Sequence, residues 1–564
     1  MDIRKALAGV IGAAAQMDAD TILDMLETPP EAKMGDAALP CFRLAKTLKK
    51  APPKIAEELA AAIEKPEYIA EIRVTGGYLN FYFDKEFYVK TVLEAVTAAG
   101  GDWGRSDVGA GATVVIDYSS INIAKPFHIG HLSSTAIGSA LYKIYKYLGY
   151  NAVGVNHLGD WGTQFGKLIS AYKMWGNDED IKNGSINAML ELYVRFHKEA
   201  EADDSLNDDA RAWFKKIEDG DKEALRIFEW FKDLTLTEVK KIYEKLDVQF
   251  DSYAGESFYN DKVQAVIDEL NEKHLLEESE GAYVVRLDEY NLPPAIILKS
   301  DGTTLYATRD LAAAKYRKQT YDFYKNLYVV AYQQNLHFRQ VFAVLKKMGY
   351  DWADDCEHVA FGMVSLEDGT ISTREGKVVF LEDVLDRAVE KTLDVINEKN
   401  PDLENKEEIS AEIGIGAVIY STLSQSRIKD ISFSFDRVLN FDGETGPYVQ
   451  YTHTRCASVL RKAGDAAGDV DYTTLTSNAA VPVVKLIEAF PQTLEQAIEK
   501  SEPFYVTRNI TELAQAFNKY YYEHRIIDDK DAAGTNARLL LTKAVKNTIK
   551  RGLALLGIRA PERM

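Results

Sequence analysis

At 564 residues the chain is too long for one hydrophobic core, so several domains are expected. Its formal net charge of −20 argues against a general nucleic-acid coat protein and leaves room only for local basic faces. No run is long and apolar enough to span a bilayer. Three scattered thiols, Cys41, Cys356 and Cys456, form neither a disulfide framework nor a zinc cluster, which points to a reducing cytoplasm.

The opening stretch MDIRKALAGVIGAAAQ has the basic start and short apolar run of a leader. Leu7, Val10 and Ile11 nevertheless fall at helical spacing, and the pattern continues through Ile22, Leu23 and Leu26, so a helix is expected instead. A second helix-like stretch, CFRLAKTLKK, carries Arg43, Lys46, Lys49 and Lys50 on one face. IRVTGGYLNFYF alternates like a hairpin about Gly76-Gly77. Residues 1–105 thus read as a small α+β unit.

From about residue 112 the pattern changes. ATVVIDYS is a short β-branched run, Leu132 to Leu148 is periodic like a helix, and NAVGVNHLGDWG reads as the next strand and its loop. Strand, helix and strand at this spacing predict a βαβ unit and a parallel sheet. AIILKS, NLYVVAY and EHVAFGMV are further buried-strand candidates. An acidic, mostly helical stretch at about 175–290 reads as an insertion, and from about 440 onward the chain reads as helical.

The chemistry concentrates in KPFHIGHLSST, between the first parallel strand and its helix. A helix start there is an anion site, because its free N–H groups and dipole favour phosphate. His128 and His131 share one face of the opening turn, Gly130 lets a flat ring approach the backbone, and Lys125 adds a cation. A lone histidine would read as a surface residue; two of them as H-x-G-H after strand one favour a nucleotide with its phosphates. A metal would need a third ligand, and His157 has no supporting Cys or second His nearby. Neither the G-x-x-x-x-G-K-[ST] loop nor the G-x-G-x-x-G fingerprint occurs.

HIGH after DYSSINIAKPF resembles the signature of class I aminoacyl-tRNA synthetases. The block DYSSINIAKPFHIGHLSST…NHLGDWGTQFGKLI is similar to the arginyl-tRNA synthetase family in particular. So are SDGTTLYATRDLAAAKYR, YVVAYQQNLHFRQ, FGMVSLEDGTISTREGKVVFLEDVL, FDGETGPYVQYTHTR and LLGIRAPERM. The resemblance implies a multidomain α/β protein. It would have an α+β tRNA-contacting domain over 1–105, a Rossmann-like parallel-sheet catalytic domain over 106–440 with the helical insertion, and an all-α anticodon-binding domain over 441–564.

It also implies an arginine–tRNA ligase that activates L-arginine with ATP and Mg²⁺ and transfers it to the 3′-terminal adenosine of tRNA(Arg). A cytoplasmic monomer without zinc and without a membrane partner is expected. By the same resemblance, His128 and His131 hold the ATP phosphates and Gly130 lies against adenine. Most class I enzymes carry a lysine in a mobile loop that ISTREGK lacks in that form; Arg374 and Lys377 are its available cations, and in relatives without that lysine the one before HIGH, here Lys125, takes the role. The arginine pocket matches Asp117, Ser119, Asn122, Tyr306, Asp310 and Gln334. Basic faces of Arg43, Lys46 and Lys49, and of Lys543, Lys546 and Lys550, match tRNA-binding surfaces.

Departures from the family pattern are Ile121, Ser133, Ile371 and Glu375. A catalytically silent tRNA-binding paralogue is the alternative, but it would need damage at His128, His131, Tyr306 or Asp310, and those four are present. Other nucleotidyl transferases with this signature are short, and a cysteine-specific enzyme would need zinc ligands.

Overall fold

The computed structural model describes residues 2–123, 127–299, 305–366, 379–464 and 468–564. The chain divides into two compact units, the first made of Met1–Trp103, Arg455–Phe490 and Glu512–Ile549, the second of Gly104–Thr454, Pro491–Thr511 and Lys550–Met564.

In the first unit, strands β1 (Ala37–Pro40), β2 (Ile69–Thr75) and β3 (Tyr78–Phe83) form an antiparallel sheet in the order β1-β3-β2. The expected hairpin pairs Thr75 with Tyr78, and Gly76 takes the positive φ of 58° that the two-residue turn needs. The opening segment is the helix Ile3–Ala15, capped by the Asp2 carboxylate and burying Leu7 and Ile11. CFRLAKTLKK departs from one continuous helix. It is a 3-10 turn, Cys41–Leu44, followed by the single α-turn Ala45–Leu48, and Lys49 ends it in the left-handed region at φ 51°. Arg43 turns back to Glu27 at 2.9 Å and Lys50 to Glu58 at 2.6 Å, leaving Lys46 and Lys49 exposed. The C-terminal share of this unit is helical, with Ala480–Glu499 bound to the N-terminal share by Trp103 Nε1–H on the Ile487 carbonyl at 2.9 Å and by Tyr88 Oη–H on Glu488.

The second unit holds the parallel sheet. Its strands β4 (Thr113–Asp117), β5 (Asn151–Val155), β9 (Lys325–Tyr328) and β10 (Cys356–His358) run in the order β10-β9-β4-β5. Val114, Val115 and Ile116 are fully buried, as a central strand covered on both faces requires. Three further strands, β6 (Leu276–Ser279), β7 (Ala282–Val285) and β8 (Ala295–Leu298), make a separate antiparallel sheet. AIILKS therefore lies outside the parallel sheet, contrary to expectation. Ala295 and Ile297 are buried while Ile296 is 46% exposed, the alternation of a half-covered strand. Strands β11 (Val364–Leu366) and β12 (Ile431–Phe433) pair in parallel. The acidic stretch forms the helices Asp178–Ala202, Ser205–Glu218 and Lys222–Lys245.

The strand order positions the site. The chain leaves β4 for β5 on one side and later adds β9 on the other. The carboxyl ends of β4 and β9 therefore flank a topological switch point, where loops diverge and a crevice opens.

Candidate active site

The first wall of the crevice is the turn after β4. Phe127 to Ile129 pair with Val379 to Leu381: Leu381 N–H donates to the Phe127 carbonyl at 2.9 Å and Ile129 N–H to that of Val379 at 3.2 Å. The chain thus returns from the ISTREGK loop directly beside His128. Lys125, Ile371, Arg374, Glu375 and Lys377 lie outside the described residues.

The two histidines face each other with ring centroids 3.9 Å apart. Each uses Nδ1 as an acceptor. Gly130 N–H donates to His128 Nδ1 at 3.0 Å, and His128 N–H donates to His131 Nδ1 at 3.2 Å. An Nδ1 that accepts carries no proton, so the neutral rings keep theirs on Nε2 and are Nε2–H donors. The flat ring that comes closest to Gly130 is that of His128: a Cβ there would meet its Cε1 at 2.8 Å. The folded turn itself therefore leaves room for little more than glycine here. Ser133 is buried one turn on, with an unpartnered hydroxyl, facing the helix packing rather than solvent.

The floor is a buried polar network. Ser119 and Ser120 follow β4 in the left-handed region, at φ 68° and 44°. Ser119 Oγ accepts from Thr135 at 2.9 Å and lies 2.8 Å from Tyr243 Oη, delivered by the helix Lys222–Lys245. Asp117 accepts from Ser120 Oγ at 2.6 Å and from Arg317 Nη2 at 2.6 Å. The side chains of Asp117 and Ser119 are thus engaged internally. Asn122 is exposed and its segment bridges Gly159.

The second wall is the helix Tyr306–Tyr321. Tyr306, Asp310 and Arg317 recur at spacings of four and seven and share one face. Their burial deepens along it: Tyr306 is 60% exposed, the Asp310 side chain 19% and that of Arg317 1%. Asp310 receives two imidazoles. His337 Nε2 lies 2.6 Å from Oδ2, and His157 Nε2 lies 3.9 Å from Oδ1. Burial alone would raise the Asp310 carboxyl, but the hydrogen bond and charge of His337, then His157 and Arg317, outweigh it and hold it below its usual value. It is therefore held as an anion. Gln334 is exposed at the turn after β9, just before the helix Asn335–Lys347.

Beside Asp310 stands a second carboxylate. Burial pushes Glu256 up to about 7, with Arg309 offsetting only part of this and Asp310 and Asp160 adding to it. Its Oε2 is buried without a hydrogen bond, 3.5 Å from Arg309 Nε. Such a group accepts a donor from solvent or from a ligand. A neighbouring cleft of about 650 Å³, by Phe127 and Phe380, is lined by Glu191, Glu238, Glu382 and Asp383, the wrong sign for phosphate. Among the described residues no cluster of three or more His, Cys, Asp or Glu side chains is arranged to hold a metal.

The geometry pairs a turn of two Nε2–H imidazoles with an anionic, aromatic-rimmed pocket. Comparison with known proteins decides whose it is. The sequence pattern of tRNA synthetases class I (R), catalytic domain, matches residues 96–435. The chain belongs to the arginyl-tRNA synthetase family. The arginyl tRNA synthetase N terminal domain matches residues 1–83 and the DALR anticodon binding domain residues 449–564. The arginine–tRNA ligase of Alkaliphilus metalliredigens is 54% identical over 96% of each chain, and that of Halothermothrix orenii 53% identical over 100% of each. The arginyl-tRNA synthetase of Thermus thermophilus superposes with a TM-score of 0.83 at 26% identity over 100% of both chains.

The synthetase is thus an ATP-using enzyme that ligates arginine to tRNA, and the silent-paralogue alternative finds no support. Its helical C-terminal domain and parallel-sheet catalytic domain are those of this family. Among the described residues no helix is long and apolar enough to cross a membrane. Arg317, Glu256, Tyr243 and His337 were not expected from the sequence, although Arg317 closes SDGTTLYATRDLAAAKYR and His337 lies within YVVAYQQNLHFRQ. Of the C-terminal basic face, Lys543 is exposed, Lys546 half-buried, and Lys550 pairs with Glu562 at 3.1 Å.

Proposed function

We propose that the crevice at the carboxyl ends of β4 and β9 carries both steps of arginine ligation. The substrate guanidinium enters against Asp310, with Tyr306 as its aromatic rim and Glu256, Asn122 and Gln334 as further partners; Asp117 and Ser119 hold the floor. A planar cation in a half-buried site needs this set of carboxylate, ring and amide acceptors. The observation that carries the reading is the Asp310 carboxylate, anionic and framed by two imidazoles.

The arginine carboxylate then attacks the α-phosphorus of ATP in line. A carboxyl–phosphorus bond forms, the bond to pyrophosphate breaks, and pyrophosphate leaves. Little covalent chemistry is asked of the protein, so positioning and charge stabilisation dominate. His128 and His131 donate Nε2–H groups to the phosphates, Gly130 lies against adenine, and Lys125, Arg374 and Lys377 supply cations. Mg²⁺ travels on the ATP phosphates and neutralises their charge. In the second step the 2′-OH of the terminal adenosine attacks the arginyl carbonyl and AMP leaves.

Arg43, Lys46 and Lys49, with Lys543, Lys546 and Lys550, meet the tRNA(Arg) backbone. The domains divide near residues 105 and 440, and the enzyme works as a cytoplasmic monomer. Charging of bulk tRNA with a panel of amino acids tests the reading. Arginine alone is expected to be charged, and charging with lysine or glutamine in its place would refute it.

A further inference from the structure

Asp310 does not stand alone in the crevice, and the group that holds it is titratable. His337 is the third residue of the helix Asn335–Lys347, and its Nε2 lies 2.6 Å from Asp310 Oδ2. Its side chain is 23% exposed, so the contact is shielded from solvent. His157 approaches the other oxygen only to 3.9 Å. The carboxylate therefore has one oxygen firmly held and one more loosely attended.

We propose that His337 is a positioning residue for the substrate: its ring holds one Asp310 oxygen so that the carboxylate meets the guanidinium with the other, and a proton on His337 and the bound guanidinium exclude one another. This rests on the reading of Asp310 as the guanidinium acceptor. Neutral His337 with its proton on Nε2 donates to Oδ2 and leaves the carboxylate its full charge. Protonated His337 adds a positive charge beside the place a second one must occupy.

Burial would lower the imidazole's proton affinity, but the hydrogen bond and charge of Asp310 outweigh it and raise His337 above its ordinary value. The imidazole therefore keeps its proton to higher pH than a free one would. The surrounding charges narrow the choice of group. His358 on β10 donates its Nε2–H to the Val330 carbonyl at 2.9 Å, and burial holds its proton affinity below the ordinary value. Arg317 is committed to Asp117. Among the described residues the other titratable neighbours of Asp310 are His157, Glu256 and Tyr328, whose phenol burial holds well above its ordinary value. Binding of one cation that expels one proton makes the KM for arginine rise as pH falls, by at most about tenfold per pH unit.

The test follows the KM for arginine in tRNA charging from about pH 6 to 8.5, in a Glu256→Gln background that removes the neighbouring carboxylate's titration. With His337 present, KM climbs on the acid side while kcat does not follow it. His337→Gln, whose amide donates the same hydrogen bond without titrating, loses that climb and keeps its alkaline KM within about threefold. His157→Gln keeps the climb. Equal slopes with and without His337, or loss of the slope in His157→Gln alone, would overturn the proposal. A second readout uses the unmutated enzyme with labelled histidines: one imidazole titration moves to lower pH when arginine is added, and no movement would overturn it. Asp310→Asn separates the two readings. If it leaves the arginine KM unchanged, the acceptor reading itself fails. If it raises KM while His337→Gln keeps the original slope, only the role of His337 fails.

Discussion

The Arg317 guanidinium meets the Asp117 carboxylate at 2.6 Å, with both side chains shut away from solvent. The helix that carries Tyr306 and Asp310 is thereby pinned to the carboxyl end of β4. Removing one partner of such a pair strands a buried charge, which costs about 3–5 kcal/mol. Arg317→Met is therefore expected to lower stability by about that amount in urea unfolding of the full chain. The double variant with Asp117→Asn recovers part of the loss. A single variant as stable as the wild type would show that the pair is not what holds the helix.

The imidazole pair makes a separate prediction. Loss of one preorganised donor to developing phosphate charge costs about 10²–10³ in kcat. His131→Ala is expected to show a loss of that order in ATP-dependent charging, with a smaller change in the KM for ATP. It also frees the His128 N–H that His131 Nδ1 accepts, so His128→Ala in addition costs less than a second full factor. Unchanged charging by His131→Ala would remove the turn from the mechanism.

Glu256 links stability to pH. Its folded value, pushed up to about 7, lies above its ordinary 4.5, so the folded state binds the proton more tightly. The associated stability is present below about pH 4.5 and is lost as pH rises through 7, a change of about 3 kcal/mol. Thermal melts of arginine-free Glu256→Gln should therefore gain on the wild type at pH 8 and not at pH 4.5. A gain equal at both pH values would contradict a raised Glu256.

Among the described residues no acid pairs with Lys46 or Lys49 in the way Glu27 pairs with Arg43. Reversing both to Glu should raise the KM for tRNA and reduce the salt slope of tRNA binding by about two phosphate contacts. Arg43→Ala should do less, because its guanidinium is already engaged. Filter binding at several salt concentrations checks both. Identical slopes for wild type and the double reversal would place the tRNA elsewhere.

How much of this was legible depended on sequence distance. VVI in β4 had to be a central strand, since both of its faces needed cover, and H-x-G-H announced a turn at its end. Tyr306 and Asp310, four apart on one helix, could be assigned to one face. The partners of those residues could not. Arg317 is 200 positions from Asp117, and His337 is 27 from Asp310. Such contacts are made by sheet order, not by local pattern. AIILKS looked like a buried parallel strand because four apolar letters do not reveal that one of them faces solvent. CFRLAKTLKK looked continuous because nothing local marks Lys49 as left-handed.

The central claim is that the Asp310 carboxylate receives the guanidinium. Citrulline, which replaces that cation by a neutral urea of the same shape, gives the most direct test. The measurement is the ratio of kcat/KM for arginine over citrulline in charging bulk tRNA, for the wild type and for Asp310→Asn. A charge-assisted bond of about 1.5–3 kcal/mol predicts that the ratio falls about 10- to 100-fold in the variant, through loss of arginine charging. A ratio unchanged by Asp310→Asn would contradict the account.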